Sequence, residues 1–330
     1  MDTNLTNSTN SCDVNGNFNQ GAAYRVIAIV TGTLSLLGTL FIVLTFLLFK
    51  HLRGSFGFRL IFYLAVSNLI SAIQVIVQSA NEHCANDACI AGAYMSQFGN
   101  LSGIFWVAFI GLNFFLAVSG ANNNAAAIKF NQHKEKIYNS IAWGLPGIFT
   151  LIAGFGGMFG VAGMWCWITG THLAARIIMY DFWIMVVYIW SAVLLVWVCM
   201  KRRLMKEAPA LARRLIYYIL VFFGCNLFTI IGTFSFYSRS ETDTGVEWLR
   251  IAIAVFEPLH GFLNALVYGL NVKVTESWSG LLGNKRYRTN SALPATTGEE
   301  EAESPTVELV SADGCESQSA TTIDSDTDDR

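Results

Sequence analysis

Seven apolar segments lie between Tyr24 and Asn271, each near or beyond the ~20 residues a helix needs to cross a hydrocarbon core. They cover residues 24–49, 59–78, 90–118, 137–159, 175–200, 215–236 and 248–271. The expected fold is an all-α membrane protein, a bundle of seven transmembrane helices. Seven crossings place the chain ends on opposite sides. The linkers after spans 1, 3 and 5, with the stretch after span 7, hold sixteen Lys and Arg residues; the other side holds four, Arg25, Arg176, Arg239 and Arg250. Basic residues mark the cytosolic face, so the N-terminus is expected outside and the C-terminus in the cytosol. A multi-pass protein of the plasma membrane follows.

The chain divides into a polar segment over residues 1–23, the seven-helix domain over 24–271, a juxtamembrane stretch over 272–283 and a tail over 284–330. Only 13% of the residues are charged, against about a quarter in ordinary globular chains. The net charge of −2 conceals an asymmetry, since residues 299–330 carry eleven acids and one base. Residues 1–23 lack the basic and apolar regions of a signal peptide, so the first span is expected to act as its own insertion signal. Asn4-Leu5-Thr6 and Asn7-Ser8-Thr9 are glycosylation acceptors on the exterior side. Asn100-Leu101-Ser102 has the same form but falls inside span 3. Cys12, Cys84, Cys89 and Cys166 lie outside, where disulfides are permitted. Four cysteines allow three pairings, and spacing does not choose among them.

Polar side chains within spans are costly and normally face the bundle interior or a cavity. In span 7, Glu257, His260, Asn264, Tyr268 and Asn271 fall within an arc of about 80° at 100° per residue, with Arg250 on the same face. Such a stripe can join an outer pocket to a cytoplasmic switch, or can simply be interhelical glue. Arg250, Glu257 and His260 are pocket candidates, while Asn264, Tyr268 and Asn271 are switch candidates. Span 2 offers a similar face in Ser67, Ser71, Gln74 and Gln78, with Asn68 beside it. Span 5 carries Asp181 close to Arg176, and both join the pocket candidates. Val274, Trp278, Leu281 and Leu282 share one helical face after span 7, which suits a short amphipathic helix on the inner leaflet.

The linker after span 5 is strongly basic. Lys201, Arg202, Arg203, Lys206, Arg213 and Arg214 determine topology against anionic lipid and also suit a cytosolic partner helix. The tail holds thirteen Ser and Thr residues from Thr289 onward and too few apolar ones to order. Candidate phosphorylation sites there are Thr297, Ser304, Thr321 and Ser325. Nothing points to an enzyme, a cofactor or a nucleic-acid partner. There is no H-E-x-x-H, P-loop or G-x-S-x-G, and His260 is the one histidine within a span. Span 7 contains no Lys before Lys273, which excludes a retinal Schiff base on that helix. A proton-coupled transporter built on Glu257, His260 and Asp181 would require repeats and matching broken helices; Pro146 and Pro258 do not match in that way.

Several stretches, in order along the chain, resemble the cyclic-AMP receptor family of G-protein-coupled receptors (class E), with its plant-type and orphan secretin-like relatives. They are residues 58–69 (FRLIFYLAVSNL), 89–92 (CIAG), 143–146 (WGLP), 165–168 (WCWI) and 261–271 (GFLNALVYGLN). Rhodopsin-like marks are absent: span 3 ends without acid-Arg-Tyr and span 7 lacks Asn-Pro-x-x-Tyr. The resemblance implies a Cys89–Cys166 bridge, leaving Cys12 and Cys84 for a second. It also implies coupling of the inner loops to a heterotrimeric G protein, and tail phosphorylation by a receptor kinase with arrestin as a further partner. The expected function is a receptor passing the binding of an extracellular ligand, cyclic AMP in the family's pattern, to a G protein. Cationic contacts for its phosphate would come from Arg25, His172, Arg176 or Arg250. A peptide or lipid ligand on the same fold is the alternative.

Overall fold

In the computed structural model, residues 18–80, 87–119, 127–162, 165–201, 210–238 and 247–281 are described. Seven helical stretches are long and apolar enough to cross a membrane. They are formed by α1 (Phe18–Leu48), α3 (Phe56–Ala80), α4 (Asp87–Val118), α5 (Ala127–Phe155), the continuous run ending in α7 (Phe182–Met200), α8 (Ala210–Ser238), and α9 (Glu247–Phe256) with α10 (His260–Gly269). A single turn, α2 (Lys50–Arg53), links α1 to α3. The bundle wears its apolar residues outside: Leu37, Ile178, Val193 and Leu220 are exposed, whereas Thr39, Ser67, Gln97 and Asn264 are buried. That inversion follows from an apolar solvent, in which backbone groups bond within helices and polar side chains turn inward. α4 is the most enclosed element and packs against α3, α5, α7 and α8.

The fourth span ends earlier than residue 159. Gly157 adopts φ +62°, which glycine tolerates without a Cβ clash. Met158 N–H donates to Ala153 O at 2.9 Å and Gly157 N–H to Gly154 O at 3.0 Å. This Schellman closure turns the chain into a hairpin of β1 (Phe159–Ala162) and β2 (Trp165–Ile168), antiparallel with Val161 opposite Cys166. The all-helical fold expected from the sequence has no strand here. A 3-10 turn (Gly170–His172), α6 (Leu173–Arg176) and a π turn (Ile177–Asp181) then lead into α7.

The seventh span is likewise two helices rather than one. Pro258 has no N–H and its ring crowds the carbonyl of Ala254, four residues back. The helix opens over residues 257–259, and the freed Ala254 carbonyl accepts a bond from Thr31 Oγ1 on α1 at 3.3 Å. At the other end, the short helix expected after span 7 forms as α11 (Val272–Leu281) and docks on the bundle. Val274 is 1% exposed, and Trp278 Nε1 donates to Thr45 Oγ1 at 3.1 Å while its ring stacks on Phe41. Arg59 and Glu135, paired at 2.9 Å, tie α3 to α5 at that same end, with Tyr63 donating to the same carboxylate.

Candidate functional site

A cavity of about 150 Å³ opens among α1, α3, α4, α8, the α9–α10 break and the hairpin. The bond between Cys89 at the start of α4 and Cys166 in β2 anchors the hairpin over it. Gln78 grips the same strand at two points: Nε2 donates to Cys166 O at 2.8 Å, and Cys166 N–H donates to Oε1 at 3.2 Å. Gln97, wholly buried in α4, accepts from Trp167 Nε1 at 2.8 Å and donates to Met179 O at 3.1 Å. Met179 belongs to the π turn. A π turn inserts a residue into the helical register and recurs at functional sites. Here it leaves Ile177 and Ile178 exposed and turns Tyr180 and Asp181 inward to the cavity.

The charges in the cavity are few. Arg176 Nε lies 3.6 Å from Asp181 Oδ2, an ion pair too long for a hydrogen bond, and its guanidinium stands 4.7 Å from the Trp167 ring centre. Glu257 lines the cavity from the break in the seventh span. It accepts from Thr229 Oγ1 at 3.3 Å and Asn100 Nδ2 at 3.5 Å, both long bonds. Among the described residues no Lys or Arg reaches it within ion-pair distance. His260 also lines the cavity, and its Nε2 has no hydrogen-bond partner among the described residues.

Of the pocket candidates, Arg176, Asp181, Glu257 and His260 are thus brought together, with Arg176 the cation among them; Arg250 does not line the cavity, nor do Arg25 and His172. Asn264 and Tyr268 are buried deeper, at 1% exposure each. Tyr268 is held edge-on between Phe41 and Phe58. Asn271 acts locally, since its Oδ1 accepts from Lys273 N–H at 3.2 Å, the capping bond of α11. Arg214 also has a structural partner, Leu270 O at 3.0 Å, so it fastens α8 to the end of α10. Lys201 ends α7, exposed. Cys12, Cys84, Asn4, Asn7, Arg202, Arg203, Lys206, Thr297, Ser304, Thr321 and Ser325 lie outside the described residues, as does the side chain of Arg213.

Tyr180 and Asp181 of the Tyr180–Asp181–Trp183 cluster, which the sequence offers as a ligand-site lining or an interface mark, line the cavity, and Trp183 does not. Gln97, Asn100 and Trp167 enter the site without having been singled out for it by sequence. Gln97 carried the usable signal, a buriable amide within an apolar span where polar groups are costly. Asn100 stood out only as a glycosylation tripeptide in the wrong place.

Residues 15–274 match the family described as slime mold cyclic AMP receptor. The chain is 27% identical over 249 residues to cyclic AMP receptor-like protein A of Dictyostelium discoideum, covering 74% of this chain and 63% of that protein. It is 26% identical over 280 residues to G-protein coupled receptor 1 of Arabidopsis thaliana, covering 78% and 82%. Latrophilin receptor-like protein A of Dictyostelium discoideum is 24% identical over 256 residues, with 75% and 78% covered. The chain therefore spans less than two thirds of the first of these relatives. These are receptors, not enzymes. With seven apolar helices and a match across most of its length, the chain is a multi-pass, G-protein-coupled-receptor-like protein that belongs to the slime mold cyclic AMP receptor family.

Proposed function

We propose that this receptor stands in the plasma membrane with its hairpin end outside, and that a small extracellular ligand in the cavity shifts the bundle toward a state that engages a heterotrimeric G protein. The observation that carries this reading is the position of Glu257. It lines the cavity at the Pro258 break, and the helix beyond that break ends at Leu270, whose carbonyl Arg214 of α8 holds. A ligand that binds Glu257 better in one arrangement of the break than in another shifts the population by that difference in affinity. The basic linker over residues 201–214 then engages the G protein, and the Ser/Thr-rich tail supplies sites for a receptor kinase and arrestin.

The test is dissociation of Gα from Gβγ, followed by energy transfer in cells that express the full chain, over a panel of small ligands and Gα subtypes. Dissociation by at least one ligand, lost in Glu257→Ala at equal surface expression, is the expected result. No response from any ligand with any Gα, with the receptor present at the surface, overturns the reading. Cyclic AMP itself is the second reading, favoured by the family's description. Saturable binding of labelled cyclic AMP to membranes, reduced by Arg176→Ala, supports it; none up to millimolar ligand rejects it.

A further inference from the structure

We infer that the cavity selects a small cation, a protonated amine of about one ring in size, with Glu257 as its counter-charge, rather than an anion such as a cyclic nucleotide; the inference rests on the receptor reading above. The Arg, Asp, Glu and His side chains that line the cavity are Arg176, Asp181, Glu257 and His260. Arg176, the one guanidinium, forms an ion pair with Asp181 at 3.6 Å and stands 4.7 Å from the ring centre of Trp167, with its Nε making no hydrogen bond among the described residues. A phosphate entering the cavity would have to displace Asp181 or share Arg176 with it, beside a second carboxylate. Like charges brought close together oppose binding and select against the wrong partner.

Glu257 is in the opposite condition. Its two acceptor contacts come from neutral donors at 3.3 and 3.5 Å, and no Lys or Arg among the described residues pairs with it. A carboxylate enclosed among helices is costly unless a cation and good hydrogen bonds offset the lost hydration. An ammonium group supplies both. Around it, Tyr24 and Tyr180 line the same cavity and are themselves buried. Aromatic faces favour a cation and carry no charge to oppose it. His260 Nε2, without a partner among the described residues, offers a further polar contact. The volume sets the scale: about 150 Å³ is the size of cavity that admits a single benzene ring.

The experiment uses the purified full chain in lipid nanodiscs and a one-ring charge series: benzylamine, benzyl alcohol and benzoate, with cyclic AMP alongside. Ligand that binds only the folded state raises the unfolding temperature with concentration. Benzylamine is expected to give a saturable rise at millimolar concentration, with benzyl alcohol weaker and benzoate and cyclic AMP without effect. In Glu257→Gln the apparent Kd for benzylamine should weaken about tenfold or more, the scale of one charged hydrogen bond. The double variant Asp181→Asn, Glu257→Gln leaves Arg176 without its carboxylate and should now be stabilised by benzoate. Stabilisation of the wild type by benzoate or cyclic AMP but not benzylamine overturns the inference, as does no shift with any probe. An unchanged benzylamine response in Glu257→Gln overturns it too; should that variant fail to fold, Glu257→Asp and the wild-type series still decide. Benzylamine binding without release of any G protein would fail the receptor reading alone. G-protein release by an anionic ligand, with no benzylamine binding, would fail the cation site alone.

Discussion

Asn264 is 1% exposed, yet neither its amide nitrogen nor its oxygen has a hydrogen-bond partner among the described residues. The nearby sequence positions behave otherwise: Asn271 caps α11, and Tyr268 is packed tightly among aromatic rings, although its hydroxyl too lacks a described partner. A buried group left unsatisfied costs about 1–3 kcal/mol, and an apolar replacement of similar shape removes that cost. A residue that lowers stability at the middle of a receptor helix is the kind a protein keeps for function. Asn264→Leu should therefore raise the unfolding temperature of the purified receptor by a few degrees while weakening ligand-driven G-protein release. A variant that loses stability would show that Asn264 is satisfied and structural. The same substitution at Asn271 should act in the opposite direction, costing about 1 kcal/mol by removing a cap, with α11 the first element to exchange its amides.

At the scale of elements, the seventh span shows how a break is accommodated. Pro258 withdraws the donor that Ala254 would use, and Thr31 on the neighbouring α1 reaches across to that carbonyl at 3.3 Å. The Thr31 hydroxyl has one proton and shares it with Ile27 O at 2.9 Å, so its contribution across the interface is a fraction of a full bond, about 0.5 kcal/mol. A double-mutant cycle isolates it. Thr31→Val should destabilise the wild type by about this amount and cost less in a Pro258→Ala background, where the amide of residue 258 serves Ala254. Equal costs in both backgrounds would mean that Thr31 bonds only within α1. Counting 100° per residue gives the face of a helix and not the depth along it. Arg250 shares a face with Glu257 but stands seven residues before it, about 10 Å further along the helix at 1.5 Å per residue, and does not line the cavity. The seven helices were legible because length and apolarity alone specify a span. The hairpin and the π turn were not. β1 and β2 are four residues each, too short for a period to show, and the π turn of Ile177–Asp181 has the same apolar composition as the α-helix it precedes. Glu257, His260, Arg176 and Asp181 were legible as site residues because ionisable groups in apolar runs stand out. The span placed Gln97 and Asn100 among costly polar groups, but their partners Trp167, Met179 and Glu257 lie far away in sequence, and no local pattern names those.

The described bundle has an apolar coat around a centre where buried aromatic and aliphatic side chains pack beside polar ones, and close helix contact brings them together. α1 meets α10 through Gly38 and Gly261: a Cβ on Gly38 would stand 2.9 Å from the Phe262 backbone, and one on Gly261 would run into Ser35 and Thr39. Small residues at such contacts let helices pack where the surrounding lipid offers no apolar driving force. This packing has no direction in the membrane, so orientation must come from charge. In the orientation proposed from sixteen Lys and Arg residues against four, the hairpin, the cavity and the Asn4 and Asn7 acceptors would face the exterior. The cavity receives an extracellular ligand only if that assignment holds. Expressed in cells with a glycosylating secretory pathway, the wild type should run as a heavier species that a glycan-removing amidase collapses. Asn4→Gln with Asn7→Gln should already run at the lower mass. An epitope on the C-terminus should be stained only after permeabilisation. Staining of that epitope on intact cells, with no glycan at Asn4 or Asn7, would reverse the bundle and turn the cavity toward the cytosol, where the charge it selects would have to come from inside the cell.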